Sequence, residues 1–124
     1  MLLDETDDRF ELRESTIPGA GRGVFAIKPL HDGDRLKVIG VFIKPNSVAD
    51  DCSRYADEHK FRAGDKLVIP VGFGGMMNHS STAPNMEKVV EEDELYLVAT
   101  RDVSVGEELL WTYSDYARER FGLS

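Results

Sequence analysis

Apolar and polar residues alternate in short runs along this chain, and most runs stop at a glycine, a proline or an acidic cluster. Phe10-Glu11-Leu12-Arg13 has the period of a half-buried strand and ends at the turn signal Ile17-Pro18-Gly19. Val24-Phe25-Ala26 resumes extended structure, and Asp32-Gly33-Asp34 marks a turn. Leu36, Val38, Gly40 and Phe42 then alternate as one face of a single strand. Pro45-Asn46-Ser47 ends that strand and offers a helix cap, with Asp50 and Asp51 in the first turn, where the helix dipole favours acids. Val48, Cys52, Tyr55, Ala56 and His59 recur at helical spacing, which predicts a short helix packing that face on a sheet.

The second half repeats the strand pattern. Lys66 to Val71 is β-like and runs into Gly72-Phe73-Gly74-Gly75. Glu87 to Val90 and Glu94 to Thr100 flank Glu91-Glu92-Asp93, the expected tip of a hairpin. Leu109 to Tyr113 alternates again, and Ser114-Asp115 caps a last short helix through Phe121. Short strands, few helices and no strand-helix-strand alternation predict a mainly β fold with short helices and disfavour a doubly wound cofactor fold.

Length and composition set bounds on this picture. With 124 residues, 41% hydrophobic and 31% charged, the chain accommodates one domain with one modest core. Residues 1–8 hold four acids and no pattern, and read as a flexible acidic N-terminus before a single domain over 9–124. No stretch of about 18 apolar residues occurs, and the N-terminus turns acidic at once, so membrane insertion and secretion are not expected. The single cysteine, Cys52, cannot close an intramolecular disulfide, and His31, His59 and His79 have no zinc-ligand spacing. The expectations are an intracellular protein, in the cytoplasm or a nucleus, that holds no metal.

A formal charge of -8 argues against direct nucleic acid binding, which needs clustered cations, and favours basic partners. The same acidity serves solubility alone equally well. Charge by itself also allows a small acidic nucleic-acid mimic.

Gly19-Ala20-Gly21-Arg22-Gly23 lacks dinucleotide-loop spacing, but its glycines permit positive φ and let main-chain N–H groups face an anionic group such as a carboxylate. An ordinary turn explains these glycines as well. Asn78-His79-Ser80 spells a glycosylation sequon with no secretory signal, and a lone Asn-His pair in a loop is ordinarily a local hydrogen-bonding device. Gly106-Glu107-Glu108 is a turn entering a strand, with Tyr113 at the strand end.

Together, Gly21-Arg22-Gly23-Val24-Phe25-Ala26, Gly75-Met76-Met77-Asn78-His79-Ser80 with Pro84-Asn85, and Gly106-Glu107-Glu108-Leu109-Leu110-Trp111-Thr112-Tyr113 resemble the SET-domain lysine methyltransferases. The order of the three motifs matches that family, and they cover most of the chain. The layout is similar to its minimal stand-alone viral or bacterial members.

The resemblance implies a SET-domain fold of small curved sheets, in which the C-terminal segment threads like a pseudoknot under a loop near Asn78. It implies S-adenosylmethionine as cofactor, contacted by Gly21, Arg22, Gly23, Asn78, His79 and Trp111. Tyr113 would be the catalytic residue beside the lysine amine, and Tyr55, Phe73, Trp111 and Tyr116 would wall the substrate channel, each with a core-packing alternative. A basic lysine-containing protein or peptide, including a histone or histone-like tail, is the implied partner, and no membrane is.

Two departures stand out. Ser81-Thr82-Ala83 carries one residue more than the usual spacing before Pro84-Asn85, and the cysteine cluster that binds zinc after the final tyrosine is missing. Tyr116 and Phe121, with a second subunit in a homodimer, would then close the channel. A module that keeps the fold but binds basic peptides without catalysis is the alternative of a different class.

Overall fold

The computed structural model describes residues 7–54, 60–91 and 94–112. Its strands are β1 (Phe10–Glu14), β2 (Arg22–Ala26), β3 (Arg35–Lys37), β4 (Ile39–Ile43), β5 (Phe61–Ala63), β6 (Lys66–Val71), β7 (Asn78–His79), β8 (Met86–Glu91), β9 (Glu94–Ala99) and β10 (Leu110–Trp111). Among the described residues, one helix, α1 (Val48–Cys52), and a 3-10 turn at Phe73–Gly75 accompany them. None of the described helices is long and apolar enough to cross a membrane.

Three small sheets form, in the orders β1-β2, β3-β9-β8-β10-β7 and β4-β6-β5. Alternation and turn chemistry account for the local pairs. β1 and β2 pair antiparallel from Phe10 with Ala26 to Glu14 with Arg22, and β8 and β9 close a hairpin at Glu91 with Glu94. β2 is buried from Gly23 to Ala26 because it has neighbours on both edges. On the edge of β2 opposite β1 lies the segment around Glu108, where Leu109 N–H donates to Val24 O at 2.8 Å and Ala26 N–H to Glu107 O at 3.0 Å. Val24, Leu97 and Leu109 are fully buried at the centre of a core that also takes in Leu30, Leu36, Val68 and Leu95.

Two expectations need correction. The predicted single strand over Leu36 to Phe42 is two strands in two sheets: β3 pairs with β9, whereas β4 pairs with β6. Leu36 and Val38 are buried, yet Phe42 is 41% exposed and sits under the Lys66 ammonium at 5.5 Å from its ring centre. The period of two reports which way side chains point and is blind to a change of sheet at Val38.

α1 begins as expected, with Ser47 as the cap whose Oγ accepts Asp50 N–H, but it ends at Cys52 and buries none of its residues. Val48 is 78% exposed and Cys52 is exposed, so this part of the predicted face does not pack on a sheet. Tyr55, Ala56 and His59 lie outside the described residues, as do the expected helix after Ser114 and residues 1–6.

Candidate cofactor and active site

The C-terminal strand is inserted between two strands that are joined to each other. β10 runs parallel to β7 (Leu110 with Asn78, Trp111 with His79) and parallel to β8 (Trp111 with Met86). The connection from Ser80 to Asn85 therefore carries the chain from one side of β10 to the other, which is the threading expected from the motifs.

Local chemistry holds the crossing. Ser80 N–H donates to Trp111 O at 3.1 Å, and Thr112 Oγ1 donates to Ser80 O at 2.9 Å. Asn85, 2% exposed, donates from Nδ2 to Glu108 O at 2.9 Å and accepts Leu110 N–H on Oδ1 at 2.8 Å. Its backbone N–H reaches Leu110 O at 3.0 Å. Ser81-Thr82-Ala83, which holds the additional residue, is an exposed bend pinned by Ala83 N–H to Ser80 Oγ at 3.0 Å.

The glycine segment approaches the same place from β2. Ser15 N–H donates to Gly21 O at 2.8 Å and closes a loop in which Gly19 and Gly21 adopt φ of 78° and 74°. An open recess of about 850 Å³ runs along this loop between Glu14 and Arg22. The Arg22 carbonyl accepts Asn78 Nδ2 at 3.1 Å, which ties the glycine segment to the Asn-His segment.

Glu108 joins them, and it was not among the site residues expected from the sequence. Its Oε2 accepts Ser15 Oγ at 2.7 Å and Asn78 Nδ2 at 3.1 Å; its Oε1 accepts Thr16 N–H at 3.0 Å and Thr16 Oγ1 at 2.6 Å. Burial of this carboxyl, only 7% exposed, pushes its pKa up, but the bonds from Thr16, Ser15 and Asn78 outweigh burial and hold it below the usual glutamate range. A Cβ on Gly23 would stand 2.2 Å from Glu108 Oε2 and 3.0 Å from Asn78 Nδ2, so glycine is required there for close approach. Two adjacent acids before an apolar run were the signal for Glu108, but solvated acids at a turn have the same spelling.

The structure thus brings Gly21, Arg22, Gly23 and Asn78 to one cluster, with His79 beside Trp111 at its edge. Trp111 is 7% exposed and packs on Phe61, ring centres 4.8 Å apart. Phe73 meets Phe10 edge-on at 5.7 Å and packs against the core. Tyr55, Tyr113 and Tyr116 lie outside the described residues; Tyr113 follows Thr112 directly in sequence.

Threaded β10, a glycine loop bound to an Asn-His strand and three small sheets together define a SET domain, and residues 21–114 match the SET domain family, to which the chain belongs. It is 31% identical over 95% of its length to the histone-lysine N-methyltransferase Set8 of Drosophila melanogaster, spanning 19% of that protein. It is 29% identical over 82% of its length to the N-lysine methyltransferase KMT5A-A of Danio rerio, spanning 35% of it. Among solved structures, CpSET8 from Cryptosporidium superposes with a TM-score of 0.68 at 25% identity, covering 86% of this chain and 57% of that one. Part of one chain of the polycomb repressive complex 2 of Chaetomium thermophilum shares the fold, with a TM-score of 0.72 at 20% identity over 86% of this chain and 15% of that one.

Proposed function

We propose that this chain is an S-adenosylmethionine-dependent protein-lysine methyltransferase acting on a basic protein, such as a histone or histone-like tail. The observation that carries the reading is the convergence at Glu108 of the glycine loop and Asn78, next to the threaded strand that leads into Tyr113. Family membership and the names of the relatives support it.

The residues present fit the cofactor. The recess beside Gly19 and Gly21 has main chain that can approach a carboxylate, and Asn78 offers a polar group at the junction. Gly21, Arg22, Gly23, Asn78, His79 and Trp111 are the proposed binding residues. The bound cofactor supplies a methyl group activated on a positively charged sulfur.

Transfer needs a lysine amine in its neutral form, whereas an unperturbed lysine has a pKa of about 10.4. Tyr113 is proposed to orient that amine, with Tyr55, Phe73 and Tyr116 excluding water around it. Desolvation then favours the neutral form. Positioning and electrostatics carry the rate, since the motifs supply no dedicated base.

The test is incubation with S-adenosylmethionine and a lysine-rich peptide, followed by mass spectrometry. Methylated lysine in the peptide is the expected result. Cofactor binding without turnover would favour the non-catalytic module, and no cofactor binding at millimolar concentration would overturn the reading.

A further inference from the structure

β10 lies between β7 and β8, with Trp111 in register with both His79 and Met86. The proposed cofactor residues Asn78 and His79 are therefore on one flank of β10. On the other flank an open recess of about 360 Å³ is lined in part by Pro84, Met86, Glu87, Lys88, Trp111 and Thr112. Lys88 stands two residues beyond Met86 on β8, as Tyr113 stands two residues beyond Trp111 in the chain.

The surroundings of Lys88 are unlike those of an ordinary surface lysine. It has the parity of Met86 and faces buried Leu97 across the ladder to β9, so it sits half-buried on the core side of β8. Its Nζ donates to the Arg62 carbonyl of β5 at 2.9 Å. The charge that acts on it is a second cation: burial first, and the Arg62 guanidinium second, hold its pKa below the usual lysine range. Glu87, the carboxylate lining the recess, is exposed and by alternation has the opposite parity. The remaining described residues of the lining carry no charge.

Taking the lysine methyltransferase reading above as given, we propose that Lys88 is a further residue of that reaction: its fixed positive charge on the β8 flank repels the ammonium form of the incoming lysine and so favours the neutral amine that accepts the methyl group. A neighbouring like charge disfavours the charged form of a titrating group. Because the Lys88 ammonium is anchored on the Arg62 carbonyl, the repulsion falls on the mobile partner, whose proton passes to water. The amine lone pair then bonds the methyl carbon as the bond from that carbon to sulfur breaks, leaving a thioether and a methylated ammonium. Lys88 takes part in neither bond. The net charge of -8 does not oppose this role, since long-range attraction brings a basic tail to the protein and Lys88 acts on one amine after it has entered.

The experiment is single-turnover methylation of a lysine-rich peptide by the full chain, saturated with S-adenosylmethionine, between about pH 6 and 10. Lys88→Met and Lys88→Gln remove the charge, and either should move the rising limb of the rate upwards by about one pH unit or more, the scale of one nearby charge. Each should then be about tenfold slower than wild type at neutral pH and converge on it above the bend. Peptide affinity at neutral pH should hold or tighten, because a repelling charge has gone. Lys88→Arg keeps the charge and should keep the wild-type limb. A merely structural Lys88 would instead lower the rate equally at every pH. That uniform loss, an unmoved limb in either folded neutral variant, or a Lys88→Arg limb displaced like theirs overturns the inference and leaves the methyltransferase reading standing. Wild type that methylates no peptide across the range overturns that reading itself.

Discussion

Asn85 and Leu110 are closed into a ring by two hydrogen bonds: Leu110 N–H reaches Asn85 Oδ1 at 2.8 Å, and Asn85 N–H reaches Leu110 O at 3.0 Å. The side chain thereby replaces a strand partner at the point where β10 enters between β7 and β8. With Nδ2 on Glu108 O at 2.9 Å, one buried amide satisfies main-chain groups on both sides of Leu109. Asn85→Ala would leave that N–H and that carbonyl without these partners, at a cost of about 2–4 kcal/mol if each loses about 1–2. Asn85→Asp keeps the acceptor and should cost less. Urea unfolding midpoints check both, and an Asn85→Ala protein as stable as wild type would mean that β10 is held by its strand pairings alone.

Gly23 and Gly21 should fail differently when changed to alanine. At Gly23 the new methyl would meet Glu108 Oε2 at 2.2 Å, and that oxygen is pinned by Ser15 and Asn78, so it cannot swing aside cheaply. Overpacking of this kind costs about 1–3 kcal/mol and should separate Glu108 from Asn78. At Gly21 no atom lies within 4 Å, and the cost is backbone strain at φ of 74°, about 1 kcal/mol. Gly23→Ala should therefore lose cofactor binding, whereas Gly21→Ala should keep most of its stability. Thermal unfolding with and without cofactor separates the two.

Acid should weaken the fold through Glu108. Its folded pKa is depressed, because the bonds from Thr16, Ser15 and Asn78 outweigh the opposing effect of burial. A depressed carboxyl contributes stability that is fully present above its unfolded pKa, about 4.3, and is lost as pH falls through the lower folded value. Asp7, held low first by its hydrogen bond from Arg9, loses stability over a similar window. Glu108→Gln should accordingly be less stable at neutral pH and show a shallower decline below about pH 4, without abolishing it. Denaturation midpoints between pH 2 and 7 measure this; parallel curves for the two proteins would remove Glu108 as a source of acid sensitivity.

The local strands were legible because alternation and turn residues act over a few positions. Phe10 to Arg13, Lys66 to Val71 and the β8-β9 hairpin fall where the pattern places them. The switch of sheet at Val38 was not legible, since Leu36 and Val38 are buried on the same parity although β3 and β4 have different partners. Helical spacing likewise chose Val48 and Cys52 as an inner face, but α1 ends at Cys52, too short to lay a stripe on a sheet. Motif resemblance, and no periodicity, pointed to the threading, because β7 and β10 are two residues each and parallel pairing across 32 positions leaves no local trace. Glu108 escaped for a related reason: its partners Ser15, Thr16 and Asn78 are distant in sequence and individually ordinary.

Tyr113→Phe should abolish or greatly reduce methyl transfer with little loss of cofactor affinity, because the hydroxyl is proposed to act on the incoming amine. Loss of one positioning hydroxyl at a reacting centre costs on the order of a hundredfold or more. The wild-type rate should also climb with pH through neutrality as more lysine becomes neutral. Single-turnover rates with a basic peptide decide the matter, and a variant as fast as wild type would move the reaction centre elsewhere.

The charge of -8 makes a prediction that separates recognition from mere solubility. If the acidic surface draws in a lysine-rich peptide, the attraction acts over about 10 Å at 0.1 M salt and only about 3 Å at 1 M. KM for the peptide should then rise across that range while kcat, set by groups already in contact, changes little. Cofactor affinity serves as the internal control, because its proposed contacts are short hydrogen bonds in a partly buried cluster and are screened far less. A peptide KM that is flat with salt would assign the acidity to solubility and leave substrate choice to the walls of the proposed lysine channel.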